Sequence, residues 1–187
     1  MLLLLRHGRT EANAGQRLQG RLDLPLDEVG VAQVAGMAAW IGRPDRIISS
    51  PLLRARQTAE AFGVPYELDD RWVELDYGGL DGLPLHEVGD DIWARWRIDP
   101  EYQVGGGESL AEMRVRVVAA VEDLLADAVE QTVVVTTHVS PIKAVMTWAL
   151  GVDVTVGWRC HLDQASVSRI AIGPKGPVLV GFNETRR

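Results

Sequence analysis

Two histidines in this 187-residue chain follow short apolar runs: His7 comes after Leu2-Leu3-Leu4-Leu5-Arg6, and His138 after Thr132-Val133-Val134-Val135-Thr136-Thr137. Histidine is the side chain whose ordinary pKa lies nearest neutrality, so it serves as nucleophile, proton carrier or metal ligand. A single histidine at a strand end reads as a structural residue. Two of them, with Arg6 beside the first and Arg54 at the start of a strand-following helix, describe a pocket for an anion. Guanidinium presents a planar fork of donors that fits phosphate or carboxylate, and the only lysines are Lys143 and Lys175. No HxH or HExxH pattern occurs, Cys160 has no second cysteine, and arginines beside the histidines would repel a cation. Neither a metal nor another cofactor is therefore expected. Gly105-Gly106-Gly107 is followed by Glu108-Ser109 instead of lysine, which excludes a P-loop and reads as a flexible lead into a helix. No G-x-S-x-G is present, and Ser140 reads as a helix cap, not a nucleophile.

The elements that must position these groups alternate along the chain. Leu2 to Leu5 is short and wholly apolar, the pattern of a central strand buried on both faces. Asp27 can cap a helix carrying Val29, Ala32, Val34, Met37 and Trp40, which Gly42-Arg43-Pro44 ends. Ile47-Ile48 reads as a second strand, and Ser50-Pro51 as the start of a helix to about Phe62. Pro65 to Leu68 is a third candidate strand, Arg71 to Pro84 a glycine-rich loop, and Leu85 to Ile98 a short helix. Ser109 with Glu112 forms a capping box for one long helix to about Val129. Thr132 to Thr137 is the clearest strand, and Ser140-Pro141 starts a helix to Leu150. Ala165 to Ile172 and Val178 to Phe182 read as an antiparallel hairpin at the sheet edge. This alternation predicts an α/β fold, three-layered α/β/α with a mostly parallel sheet, as one domain over residues 1–187. Ligands of such sheets bind beyond the carboxyl ends of the strands, where both histidines fall.

The chain is 47% hydrophobic and 24% charged, with 19 Lys plus Arg against 26 Asp plus Glu, a net charge of -7. That balance disfavours nucleic acid and anionic lipid as partners, so an anionic ligand must be met locally. Met1 to Leu5 is too short to span a membrane and lacks the basic start and cleavage site of a signal peptide, and one cysteine gives no disulfide framework; a cytoplasmic protein is expected. An exposed C-terminal edge strand offers one route to a homodimer.

Four ordered blocks carry a family resemblance: Arg6-His7-Gly8-Arg9-Thr10 with Asn13 and Gln19 to Leu26; Ser49 to Ala59; Glu74 with Gly78 and Gly82, then Gly107-Glu108-Ser109; and His138. The chain resembles the histidine phosphatase superfamily, also called phosphoglycerate mutase-like, over nearly its whole length. Its compact stretch from Glu74 to His138 is similar to the short cofactor-independent phosphatase branch. The resemblance implies that His7 is the nucleophile, forming a phosphohistidine that water cleaves, and that Glu74 is the general acid and then the base. Arg6, Arg54 and His138 are implied to stabilise the phosphoryl group, while Asn13, Thr10, Arg9 and Gly20 bind or steer the substrate, a small-molecule phosphate ester. Phosphoryl transfer spreads negative charge over three oxygens, which preorganised cations can meet. Phosphoglycerate mutase-type transfer, or a phospho-ligand-binding module, are the alternatives. The chain departs from the family pattern at Val139-Ser140, where Gly-Gly is usual, and at Leu80-Asp81-Gly82 in place of Trp-Glu-Gly. His86 and His161 match no block. Trp72, Tyr77, Leu80, Trp93, Trp96 and Tyr102 are either a rim for the alcohol part of a substrate or core.

Overall fold

The computed structural model describes residues 1–186. Strands β1 (Leu2–Arg6), β2 (Arg46–Ser49), β3 (Glu67–Leu68), β4 (Val133–Thr137), β5 (Val167–Gly173) and β6 (Gly176–Glu184) form one sheet in the order β3-β2-β4-β1-β5-β6. β1, β2, β3 and β4 run parallel, whereas β5 opposes β1 and β6 opposes β5, the expected terminal hairpin. Helices α1 (Glu11–Ala14), α2 (Glu28–Ile41), α3 (Leu53–Glu60), α4 (Asp90–Ile98), α5 (Leu110–Glu122), α6 (Leu125–Glu130) and α7 (Val139–Leu150) connect them.

The four leucines of β1 are buried because both faces of the sheet are covered. Alternation sends Leu2 and Leu4 toward Met113, Val117 and Val121 of α5 and Ile142 and Val145 of α7. Leu3 and Leu5 meet Met37 of α2 and Ala59 of α3 on the other face. This is the α/β/α layering, and truncating a leucine such as Leu4 to alanine removes about 2–5 kcal/mol. On α2 only part of the expected apolar set points inward: Val34 and Met37 are buried, whereas Val29 and Trp40 face solvent.

β1 and β4 are neighbours in register, Arg6 opposite Thr137. His7 and His138 therefore leave the sheet side by side at its carboxyl edge. The His7 amide donates to the Thr137 carbonyl and the Ser50 amide, just past β2, to that of Thr136, both at 3.0 Å.

Several boundaries differ from the sequence reading. The long helix from Ser109 keeps its capping box but divides into α5 and α6, because the Leu124 amide bonds the carbonyl of Val121, three residues back, and the ladder changes step. The segment from Leu85 opens as a separate turn before α4, and β3 is only two residues long. The Gly105 to Gly107 run is not a free lead-in. Gly78 and Gly105 both have positive φ, and a Cβ on Gly78 would sit 2.3 Å from the Gly105 carbonyl, so two backbones touch where no side chain fits.

Candidate active site

His7 and His138 are buried with ring centroids 5.2 Å apart and planes tilted by 58°. Nδ1 of His7 lies 2.7 Å from the carbonyl oxygen of Gly8. A carbonyl only accepts, so Nδ1 carries the proton and Nε2 keeps a lone pair. This is the ring-orienting acceptor that the sequence left unassigned. Burial, then the charges of Arg54 and Arg6, holds the His7 pKa well below its usual 6.5. His138 is lowered in the same way, by burial, then Arg54, His7 and Arg6. Its Nε2 makes a 2.8 Å hydrogen bond with Ser50 Oγ, while its Nδ1 has no partner.

The two arginines are fixed by carbonyls. Arg6 donates to Leu162 O at 2.6 Å. Arg54 donates to Leu22 O at 2.7 Å, Gly20 O at 2.9 Å and Gln19 O at 3.2 Å. The Nε groups of both are buried without a partner. Burial pulls the Arg54 pKa to about 10, which leaves it charged at neutral pH, and lowers that of Arg6.

Glu74 is buried at the N-terminus of α7. Its carboxylate accepts from the amides of Leu75 at 2.8 Å, Val139 at 3.1 Å and Ser140 at 3.2 Å. Ser140 is therefore not the cap that the sequence suggested: His138 occupies that position and the cap is borrowed from Glu74, 65 residues away from Val139. α3 repeats the substitution. Its N-cap is Leu52, not Ser50, and the Leu53 amide is met by Asp23 at 2.6 Å. The departure from Gly-Gly at Val139-Ser140 costs no backbone donor, since both amides are engaged. Arg116 holds the other side of Glu74, donating to the carbonyls of Arg71 at 2.6 Å, Val73 at 2.9 Å and Glu74 at 3.3 Å while its fork grips Glu108 at 2.6 and 2.7 Å.

The remaining candidates lie in the walls of this pocket or just outside it. Thr10 caps α1 and donates to Gln19 Oε1 at 2.6 Å, and Asn13 Oδ1 accepts from the Thr10 amide at 3.2 Å. Gly20 is fully used by the scaffold, its amide bonded to Asp81 at 2.8 Å and its carbonyl to Arg54. Arg9 pairs with Asp27 at 2.8 Å. His86 and His161 are exposed. Gln19, whose buried Nε2 is unpartnered, and Ser50 were not singled out from sequence; their signals were membership in the matching blocks. Of the aromatic candidates Trp72 is core, whereas Tyr77, Trp93 and Trp96 line a cavity beside Ser140 together with Trp158. Among the described residues no three His, Cys, Asp or Glu side chains gather at metal-ligand spacing.

Two histidines and two carbonyl-anchored guanidinium groups gather at the carboxyl edge of a three-layer α/β sheet, an arrangement whose charge suits an anion. The chain belongs to the histidine phosphatase superfamily, branch 1, whose family model matches residues 2–185. It is 37% identical over 177 residues to a bifunctional protein of Mycobacterium tuberculosis, covering 89% of this chain and 49% of that protein. The chain thus spans about half the length of the first curated relatives it matches. It is 36% identical over 194 residues to phosphoserine phosphatase 1 of Hydrogenobacter thermophilus, covering 98% of this chain and 92% of that one. A phosphoserine phosphatase from Entamoeba histolytica, solved in complex with phosphoserine, superposes with a TM-score of 0.91 at 28% identity over 99% of this chain and 97% of that chain.

Proposed function

We propose that this chain, as one domain, is a phosphomonoesterase acting on phosphate esters of small metabolites through a phosphohistidine on His7, without a metal. The observation that carries the reading is the His7 ring, its Nδ1 proton tied to Gly8 and its Nε2 left free beside His138 and two guanidinium groups. Nε2 attacks phosphorus as the bond to the leaving oxygen breaks, and Glu74 gives that oxygen its proton. Water then attacks the phosphohistidine, returns a proton to Glu74 and releases phosphate and free His7. Arg6, Arg54 and His138 meet the equatorial oxygens. Thr10, Asn13 and Gly20 shape the wall, and Arg9 steers the anionic substrate. Phosphoserine and 3-phosphoglyceric acid, the ligands of the Entamoeba histolytica protein in two structures, are small esters of this class. No helix of the described residues is long and apolar enough to cross a membrane. A cytoplasmic location and a homodimer through the β6 edge, where Val178 and Val180 are exposed, complete the proposal.

Hydrolysis of p-nitrophenyl phosphate in EDTA, from acid to neutral pH, tests it. Turnover that resists EDTA and is lost in folded His7→Ala supports the reading. Folded wild-type protein without turnover of this ester or any other phosphate ester would sink it, and conversion of 3-phosphoglycerate to its isomer would shift it to a mutase.

A further inference from the structure

The cavity beside Glu74 holds chemistry that the proposed phosphoryl transfer does not use. It encloses about 110 Å³ between Trp93, Trp96, Trp158 and Tyr77, with Ser140 at one side. Trp96 stacks on Trp93 with centroids 5.4 Å apart and meets Trp158 edge-on at 4.9 Å, so the wall is rigid. Lys143, from the second turn of α7, also lines it, and its ammonium lies 5.9 Å from the centre of the Trp158 ring. Gly157 makes room for its stem: a Cβ there would sit 3.2 Å from Lys143 Cβ.

Lys143 is half-buried and, among the described residues, has neither a hydrogen-bond nor an ion-pair partner in the structure. No acidic residue lines the cavity. Glu74, the acid of the adjoining site, has its oxygens engaged by three backbone amides. Burial lowers the Lys143 pKa from its usual 10.5, against the opposing pull of Cys160 and Glu74, neither of which is bonded to its ammonium. The indole N–H groups of Trp96 and Trp158 are buried without acceptors. Those two indole donors are costly until an acceptor arrives, and the ammonium beside them is free to meet an anion. The cavity is smaller than the roughly 150 Å³ that holds benzene. It has room for a carboxylate with one or two carbons.

We propose that Lys143 is a specificity-determining residue of the phosphatase read above, receiving the carboxylate of phosphate esters of short hydroxy acids whose carbon stem lies against the tryptophans. The inference rests on that reading and is separable from it by experiment. Two matched pairs isolate the carboxylate: O-phosphoserine against O-phosphoethanolamine, and 3-phosphoglycerate against glycerol 3-phosphate. Wild-type protein is expected to prefer the acid of each pair by about tenfold or more in kcat/KM, Lys143→Met to lower that ratio about tenfold, and Lys143→Arg to keep most of it. In a His7→Ala background, which removes turnover, tryptophan-fluorescence titration with O-phosphoserine should show the same weakening by Lys143→Met. An equal loss for both members of a pair, or an unchanged ratio, overturns the role of Lys143. Wild-type turnover of p-nitrophenyl phosphate without preference for the acids overturns it while the phosphatase reading stands. No turnover of any ester overturns that reading, and this inference with it.

Discussion

Gly30 tests whether the turn that carries His7 is held by α2. A Cβ on Gly30 would lie 2.0 Å from the Arg9 carbonyl oxygen and 2.7 Å from the Arg9 amide, against a lower limit near 3.0 Å for real Cβ contacts. Both neighbours are backbone, so no side chain can swing away. Gly30→Ala must push α2 and the His7–Thr10 turn apart by about 1 Å, an overpacking that costs roughly 1–3 kcal/mol. The Gly8 carbonyl that orients His7 moves with that turn, and a displacement of about 1 Å at reacting groups costs on the order of 10²-fold in rate. Gly36 lies on the same helix with nothing within 4 Å of its Cβ position. Gly36→Ala should therefore stabilise by about 0.5–1 kcal/mol and leave the rate alone. Urea unfolding and p-nitrophenyl phosphate kinetics on the two variants supply both readouts. Gly30→Ala that matches wild type in kcat and in stability would refute the close approach as the support of the loop.

Two further outcomes follow from the site. In the folded protein His7 and His138 titrate well below 6.5, whereas in the unfolded chain they titrate near it. As pH falls the unfolded chain takes up protons first, so their contribution is intact above about 6.5 and declines below it, by roughly 1.4 kcal/mol per pH unit for each histidine. Urea unfolding between about pH 7 and pH 5.5 should show a shallower decline in His138→Gln than in wild type; equal slopes would contradict the buried neutral state of His138. Arg116→Met removes the clamp on the carbonyls of Val73 and Glu74 and is expected to lower kcat about tenfold with little effect on KM. A loss of stability with kcat unchanged would make Arg116 structural only.

What could be read from the sequence was what the strands dictate. Leu2 to Leu5 and Val133 to Thr137 are apolar through their length because both faces are covered, and each run ends at the residue that must turn into the pocket. The pairing of β1 with β4, which the sequence does not specify, then brings His7 to His138, and Arg6 arrives with its strand. The caps could not be read this way. Ser50-Pro51 and Ser140-Pro141 carry the local signal for a helix start, yet Asp23 and Glu74, 30 and 65 residues from the amides they accept, take over the function. Local rules describe a helix end surrounded by water, and these two ends lie in the pocket wall, where a tertiary partner is closer than the residue's own hydroxyl. Trp158 and Lys143 escaped for a related reason: a cavity belongs to several segments at once and has no period in any of them.

The arginines show how a chain of net charge -7 can offer a positive pocket. Arg9, Arg21, Arg46, Arg71, Arg95, Arg116 and Arg169 each pair with a carboxylate, so their charge is compensated where they stand. Arg6 and Arg54 are bonded to carbonyl oxygens alone. A carbonyl dipole fixes a guanidinium in place and satisfies its donors without cancelling its charge, and both groups still carry an unpartnered Nε. Burial, and after it the charges of these two arginines, holds the pKa of His7 and His138 well below the usual 6.5. One arrangement therefore does two things that a carboxylate partner would undo. On the proposed reading it leaves positive charge for the oxygens of a phosphoryl group and keeps the His7 nitrogen free to attack below neutral pH.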